Sequence, residues 1–393
     1  MTNIDADGFV APGWEPVKAA FEKSFELDEE VGASACVYHR GDKVVDIWGG
    51  RFDTTSDRAY DDSTLQLMFS TTKGIVAIAI AMCVQRGLFQ YSDKVATYWP
   101  EFAAHGKEDA TIAQLLSHQC GLIAPDASVT LADALDWKTI TAMLADTKPD
   151  WPIGTAHGYH AVTFGYLAGE LIRRTDGRSP GQFIADEISG PLGVEMWIGL
   201  PEEQEPRVSP IIGRPLNEDN ADPGIRAMLE MFLGPGTRGG RALFLNDSLR
   251  GTEDVFNRRD VHAAEVPAAN GIGTAAALAK IYAATLAPID GVQLLSDEIR
   301  EQARVTITPN GEPDLCLIMP TTFGMGFMTY GMFTPFAGAG SYGHAGAGGS
   351  NAYAQPEREL AVGYVMNKMA ANLAADGRAQ RITQAAAGVV DSL

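Results

Sequence analysis

Ser70 and Lys73, in the stretch FSTTKG, have the types and spacing that covalent catalysis could use. A serine hydroxyl is a weak nucleophile at neutral pH and needs a neighbouring base. Residues three apart on a helix lie on one face, so the two side chains could meet. A lysine is a base only when neutral, and lowering its pKa from about 10.4 to about 7 costs on the order of 4–5 kcal/mol. Burial beside the apolar run 74–84 could supply that free energy.

The same pair also has a plain structural explanation. Ser70 could be the N-cap of a helix, and Lys73 a solvated residue in its first turn. A serine and a lysine with two residues between them recur by chance roughly once in a chain of this size. The motif alone therefore leaves both interpretations open.

Two further stretches carry groups that acyl transfer would need. Tyr159 follows the turn Pro152–Gly154 and precedes an amphipathic run, so its hydroxyl could relay a proton to a leaving group. A tyrosine that only packs is the alternative. The stretch 341–367 is rich in small residues before a strand-like run, which lets backbone approach a ligand closely. Together these stretches favour a catalytic serine over a solvated helix end.

Composition and charge restrict the partners of this chain. It has 393 residues, of which 46% are hydrophobic and 20% charged, as expected for one large globular domain or two intimate ones. The formal net charge is -20, with a sequence pI of about 4.7. Nucleic acid and anionic membranes would repel such a surface, so we expect neither as a partner. The run 74–84 is too short to cross a bilayer, which takes roughly 20 residues.

The chain termini and the cysteines bear on location. The first residues contain no basic stretch followed by an apolar one, so we expect no signal peptide and a cytoplasmic location. The four cysteines are scattered without C-x-x-C spacing and predict buried free thiols in a reducing compartment. They are Cys36, Cys83, Cys120 and Cys316.

Hydrophobic periodicity predicts the elements that position these residues. A helix over 14–28 precedes a hairpin that turns at Gly41-Asp42, and a buried helix covers 70–86. The middle of the chain is mainly helical, with long loops expected at 214–224 and 233–242. Strand-like runs follow, among them 324–333, and a helix over 371–393 closes the chain.

This order of elements predicts an α+β fold with two parts. Residues 1–90 and 290–393 would form a discontinuous α/β domain, and residues 91–289 a mainly helical domain. The active site would lie in the cleft between them. Loops within 215–260 would form the pocket walls.

The motifs, taken together and in order, resemble one known family. FSTTKG, LLSHQCGL, PIGTAHGYHAVTFGYLAGELIRR, ANGIG and YGHAGAGGSNAYAQPERELAVGYVMNKM are similar to the motifs of family VIII carboxylesterases. That family belongs to the serine β-lactamase-like superfamily, with class C β-lactamases and penicillin-binding carboxypeptidases. The resemblance covers about residues 30–370. It implies an antiparallel sheet flanked by helices, a mainly helical domain, and ester hydrolysis through an acyl-enzyme.

The resemblance also implies roles for individual residues. Ser70 would be the acylated nucleophile, Lys73 its base or base partner, and Tyr159 the residue that shares proton transfer with the lysine. The backbone N–H groups of Ser70 and Ala347 would form the oxyanion hole. One such donor is typically worth about 2.7–4 kcal/mol of transition-state stabilisation.

Two positions depart from the lactamase pattern. His344-Ala345-Gly346 stands where β-lactamases have Lys-Thr-Gly, which places His344 and Gly346 at the substrate. Ala161 stands where the tyrosine motif of lactamases has asparagine. The missing lysine and asparagine bind the carboxylate and amide of β-lactams, whereas a neutral ester needs neither. We therefore expect hydrolysis of small, short-chain acyl esters.

Other functions remain open at this level. A β-lactamase or D-amino-acid peptidase, an acyltransferase, and a non-catalytic binding protein could share the scaffold. The G-x-G-x-x-G match at 338–343 lacks the βαβ context of a dinucleotide site, and His157 and His160 lack further ligands for a metal. We therefore expect no cofactor and no metal, with a small-molecule ester as the partner. The oligomeric state, including a homo-oligomer, is not determined by the sequence.

Overall fold

The computed structural model describes most of the chain, in the ranges 4–213, 227, 230–250, 255–309, 311–370, 372 and 374–393. The loop expected at 214–224 and part of the expected pocket wall at 215–260 lie outside the described residues. The strands are β1 Asp7–Val10, β2 Gly32–His39, β3 Asp42–Gly50, β4 Leu65–Leu67, β5 Met196–Trp197, β6 Val208–Ser209, β7 Ile272–Gly273, β8 Met328–Thr329, β9 Tyr342–Ala345, β10 Asn351–Gln355 and β11 Leu360–Met366.

Helices flank these strands and fill the middle of the chain. Those with described bounds are α1 Glu15–Leu27, α2 Thr72–Gln85, α3 Val95–Tyr98, α4 Ile112–Leu116, α5 Leu131–Leu135, α6 Trp137–Ala145, α7 Thr163–Asp176, α8 Pro180–Ile184, α9 Gly190–Leu192, α10 Arg238–Phe244, α11 Arg259–Ala263, α12 Ala275–Ala283, α13 Asp297–Arg304 and α14 Gly377–Asp391. Among the described residues, no helix combines the length and apolar character needed to cross a membrane.

Both ends of the chain build one antiparallel sheet, with strand order β1-β3-β2-β11-β10-β9-β8. The early hairpin turns at Arg40 and Gly41, whose φ angles of 52° and 83° suit a two-residue turn between twisted strands. Strand β11 then pairs with β2, with Leu360 opposite His39. This antiparallel sheet with helices confirms the predicted α+β fold.

Helices cover this sheet. Helices α1 and α14 pack together, and α12 packs on β2 and β11. The approach of α12 is close, because a Cβ on Gly363 would lie only 2.4 Å from the Ala275 carbonyl oxygen. Only glycine therefore fits at this point of β11. The division of the chain at residues 91 and 289 stays a prediction.

The buried helix α2 connects the sheet to the helical part of the chain. All residues from Thr72 to Val84 are buried, and the helix contacts α7 on one side and β9 on another. An apolar helix surrounded on all sides is the packing that its unbroken hydrophobic run requires. Helix α2 therefore lies between α7 and the β9 side of the large sheet.

Several expected elements differ from those observed. The run 324–333 forms only the two-residue strand β8, because Gly324, Gly326 and Gly331 favour turns, and Met332 is 78% exposed. Strands β5, β6 and β7, from the predicted helical part, join β4, from the predicted α/β part, in a second sheet of order β5-β7-β4-β6. These strands have two or three residues each, too few to show a period-two pattern.

Two helix boundaries also differ, and capping residues explain both. The stretch 233–242, expected as a loop, contains the start of α10, where Thr237 Oγ1 accepts a hydrogen bond from Gly240 N at 3.0 Å. The closing helix begins at Gly377 rather than at 371, because Asp376 caps it by accepting from Arg378 N at 2.8 Å. Caps of this kind set where helices begin. The four cysteines are buried and free, as predicted.

Candidate active site

Ser70 lies in a short 3₁₀ helix, Phe69–Thr71, directly before α2. Phe69 has a φ of 44°, a left-handed conformation that is unusual for a bulky residue and typical of functional sites. Thr72 fixes the turn, since its Oγ1 donates to the Phe69 carbonyl at 2.5 Å and accepts from Gly271 N at 2.9 Å. The N-cap position of α2 belongs to Thr71. The alternative in which Ser70 caps the helix is therefore wrong, and its hydroxyl is free for other contacts.

Lys73 is fully buried and lies beside the serine. Its Nζ is 2.9 Å from Ser70 Oγ, 2.6 Å from the Ala161 carbonyl oxygen and 2.8 Å from the Ala268 carbonyl oxygen. Its exposed fraction is 0%, so the alternative of a solvated lysine is also wrong. Burial lowers the pKa of Lys73 well below its ordinary value.

These three contacts define what the neutral amine would do. A neutral lysine has two N–H bonds and one lone pair. The carbonyls of Ala161 and Ala268 can only accept, so they would take the two N–H bonds. The lone pair is then left for Ser70, whose O–H can donate to it across 2.9 Å. The geometry suits proton transfer from the serine to the lysine.

Tyr159 lies in the loop before α7, with its ring inside the same site. The Ser70 side chain interacts with the phenol and favours its ionised form, against the larger effect of burial on the pKa, and Lys73 Nζ is 4.9 Å from the ring centroid. The ring stacks on Phe323, with centroids 6.0 Å apart and planes 4° from parallel. Burial raises the pKa of Tyr159, so the phenol keeps its proton at neutral pH.

His344 is the penultimate residue of β9, and the centroid of its ring lies 6.1 Å from that of Tyr159. Its Nδ1 donates to the Ala345 carbonyl oxygen at 2.7 Å, because that oxygen can only accept. This fixes Nε2 as an acceptor, and Nε2 has no hydrogen-bond partner among the described residues. Burial, followed by the nearby Lys73, lowers the pKa of His344 well below its ordinary value. The position thus presents a neutral ring, where a lactamase would present a cation.

Gly346 and Ala347 follow β9 and lie against the nucleophile turn. A Cβ at Gly346 would lie 2.1 Å from Ser350 Oγ and 2.4 Å from the Met68 carbonyl oxygen. The Ser350 hydroxyl also joins the two segments by donating to that Met68 oxygen at 2.7 Å. The backbone carrying the Ala347 N–H is thereby held beside the backbone of Ser70.

Gly346→Ala is therefore expected to lower kcat/KM about 100-fold, because the added methyl must push the Ala347 backbone away from the nucleophile turn. Overpacking of this kind also costs roughly 1–3 kcal/mol of unfolding free energy. Steady-state kinetics and thermal unfolding would measure both effects. Gly388→Ala in α14 is the matched control, since its Cβ would meet no atom within 4 Å. Equal activity of the two variants would contradict the assigned contact.

A buried arginine that the sequence reasoning missed holds the Ala347 segment from behind. Arg378 donates through Nη2 to the Gly348 carbonyl and through Nη1 to Glu30 Oε2 at 2.7 Å. Asp376 accepts from Arg378 Nε at 3.0 Å. The signal available in the sequence was an arginine at the start of a helix, which is usually solvated. Its pairing with Glu30 and Asp376 offsets the cost of burying the Arg378 charge. Its bond to the Gly348 carbonyl restricts the movement of the segment that carries Ala347.

Two further histidines, His118 and His160, bridge backbone segments near Tyr159. His160 Nε2 accepts from Leu122 N at 2.9 Å, and His118 Nδ1 accepts from His160 N at 3.1 Å. Burial lowers the pKa of His160 to about 4. Among the described residues, no three His, Cys, Asp or Glu side chains are placed to hold a metal. These histidines fix the loop that carries Tyr159.

Comparison with known proteins places the chain. The family described as beta-lactamase matches residues 19–387. The chain belongs to the beta-lactamase family. Esterase/beta-lactamase LipL of Mycobacterium tuberculosis (strain ATCC 25618 / H37Rv) is 32% identical over 374 residues, which cover 92% of this chain and 83% of LipL.

Two solved structures are similar over nearly the whole chain. A family VIII carboxylesterase is 35% identical with a TM-score of 0.87, covering 98% of this chain and 100% of its own. A penicillin-binding protein homologue from Caulobacter crescentus is 35% identical with a TM-score of 0.88, at the same coverage of 98% and 100%. The family resemblance and the fold expected from the motifs are confirmed.

Proposed function

We propose that this chain is a serine esterase that hydrolyses small carboxylic esters through an acyl-enzyme on Ser70. One observation carries the proposal: a fully buried lysine is held 2.9 Å from the serine hydroxyl, with two carbonyls to take its N–H bonds. The related proteins named as esterases support the same reaction.

In the acylation step, Ser70 Oγ attacks the ester carbonyl carbon and its proton passes to Lys73 Nζ. The carbonyl oxygen becomes an oxyanion, which the N–H groups of Ser70 and Ala347 would stabilise. Tyr159, still protonated, donates to the oxygen of the leaving alcohol and recovers a proton from the lysine. The alcohol departs and the acyl group remains on Ser70.

Deacylation uses the same groups in reverse order. A water gives its proton to the Lys73–Tyr159 pair and attacks the acyl carbonyl. The bond between the acyl carbon and Ser70 Oγ breaks, and the serine regains its proton. The products are a carboxylic acid and a free enzyme.

The proposed preference for neutral esters depends on Ala161 and His344. Lys73 uses only the backbone carbonyl of Ala161, so the base survives the loss of the asparagine side chain that lactamases have there. His344 is neutral and offers a lone pair, which cannot pair with a carboxylate. A substrate without amide or carboxylate loses nothing by these changes.

The buried free thiols fit a reducing compartment, and we keep the cytoplasm as the proposed location.

Intact-protein mass spectrometry after incubation with p-nitrophenyl butyrate or a fluorophosphonate would test this function. We expect one adduct, on the peptide that contains Ser70. Folded protein that takes no adduct from several acyl donors would overturn the proposal. We expect the kcat/KM for nitrocefin, measured in parallel, to be at least about 100-fold lower than that for the ester. The reason is that the site lacks partners for the β-lactam groups. The opposite order would identify a β-lactamase.

A further inference from the structure

Asp314 is a fully buried carboxylate that contacts the backbone of Tyr159. Its Oδ1 accepts from Tyr159 N at 3.0 Å, from Cys316 N at 2.8 Å and from Leu317 N at 2.9 Å. Its Oδ2 accepts from Thr321 Oγ1 at 2.9 Å. Four donors therefore converge on one side chain, directly beside a residue of the proposed chemistry.

A cation does not explain this buried carboxylate. None of the ion pairs between described residues includes Asp314, although a buried charge is costly unless it is paired or hydrogen-bonded. The N–H and O–H donors take the place of a cation. Charge-assisted hydrogen bonds are roughly twice as strong as neutral ones, so the carboxylate holds these donors more firmly than a neutral side chain would.

The hydrogen bonds continue from Asp314 to the other side of the Tyr159 loop. Thr321 Oγ1 lies 3.1 Å from His157 Nε2, and the His157 carbonyl accepts from Leu315 N at 3.0 Å. The segment around Asp314 is thus tied to the chain on both sides of Gly158. Rotation of the tyrosine backbone would break several of these bonds at once.

We propose that Asp314 is a positioning residue that sets the backbone of Tyr159, and thereby aims its hydroxyl at Ser70 and the leaving group. This rests on the proposed function. A reacting group misplaced by 1 Å can cost about 100-fold in rate. The carboxylate does not touch the substrate; its effect passes through the tyrosine.

The charge of Asp314 gives a second, independent readout. It raises the pKa of Tyr159, after the larger effect of burial, because a nearby negative charge disfavours the phenolate. The other titratable groups that face Tyr159 are Lys73, His118 and His344. Removing the carboxylate charge should lower the pKa of Tyr159, so the alkaline limb of activity should move to lower pH.

The test compares Asp314→Asn with Glu170→Gln in the full chain. Asparagine keeps an oxygen for the Tyr159 N–H but loses the charge, so kcat for p-nitrophenyl butyrate should fall about 10-fold with KM nearly unchanged. The alkaline limb of kcat should move to lower pH. Glu170 is also a buried carboxylate, bonded to Trp137, Arg173 and Arg174, and contacts none of the proposed catalytic groups. Its variant should lose stability but keep kcat and the alkaline limb.

The outcomes separate the inference from the proposed function. If wild-type protein neither turns over esters nor takes an adduct on Ser70, the esterase proposal fails. If wild-type protein is active and Asp314→Asn keeps its kcat and its alkaline limb, only the positioning role fails. Should Asp314→Asn not fold, Thr321→Val removes one bond to the carboxylate and should lower kcat several-fold, while Thr321→Ser restores it. Equal rates for the two threonine variants would also overturn the role.

Discussion

Ser70→Ala should lower kcat/KM for p-nitrophenyl butyrate on the order of 10⁶-fold, the size of loss that follows removal of the nucleophile from a serine hydrolase. The reason is that Ser70 Oγ is, among the described residues, the one hydroxyl that hydrogen-bonds Lys73 Nζ. The fold should survive, because Lys73 keeps its bonds to the Ala161 and Ala268 carbonyls. Stopped assays with concentrated enzyme would measure the residual rate, and thermal unfolding would measure stability.

Ser189→Ala provides the matched control for this loss. Its hydroxyl is also buried and donates to the Met196 carbonyl at 2.8 Å, away from the proposed site. We expect this variant to keep kcat/KM within about two-fold, as most substitutions without catalytic contacts do. A Ser70→Ala protein that kept a tenth of wild-type activity would rule out Ser70 as the nucleophile.

Lys73→Met and Lys73→Arg should each lower kcat/KM by roughly 10³–10⁴-fold, at the upper end of what general bases contribute. Methionine has a similar length but no lone pair on nitrogen. Arginine stays protonated at every accessible pH, so it cannot accept the proton of Ser70. Steady-state kinetics with the same ester would measure both losses.

The pH dependence of the wild-type rate should report the protonation of Lys73. Burial lowers the pKa of Lys73, and below that pKa its nitrogen carries a third proton and has no lone pair. The rate should therefore rise as pH increases through the lowered pKa of Lys73 and then level off until the alkaline limb begins. This rising limb should be absent from the residual activity of Lys73→Met.

Lys107→Met separates the base from a merely buried lysine. Lys107 is equally buried and donates to the carbonyls of Ala145 and Thr147. Unlike Lys73, it hydrogen-bonds no serine among the described residues. We expect this variant to lose stability and to keep the pH profile of the wild type. A Lys73→Arg variant with wild-type kcat/KM would contradict the role of Lys73 as base.

Local patterns were enough to predict much of the fold. The helix over 163–176 follows from its amphipathic spacing, and the hairpin follows from alternating residues around Gly41. The two-residue strands of the second sheet could not be predicted, because their residues pair with partners far along the chain. Met332 lies in the strand-like run 324–333, yet it is exposed, since turns at neighbouring glycines carry it outward.

By itself, the sequence determined which chemical groups are present: a serine and a lysine one helical turn apart, a tyrosine after a Pro/Gly turn, and a histidine where lactamases have lysine. It also determined the family, because several motifs in order are far more specific than one. It did not decide whether Lys73 is solvated or buried.

Only the tertiary structure decided that question. The carbonyls that bind Lys73 belong to Ala161 and Ala268, which are 88 and 195 positions away in sequence. The support of Tyr159 by Asp314 spans 155 positions. The pKa of a lysine depends on the solvent and dipoles around it, and those are set by segments that meet only when the chain folds. The sequence supplies the groups, and folding supplies the dry surroundings that can make one of them a base.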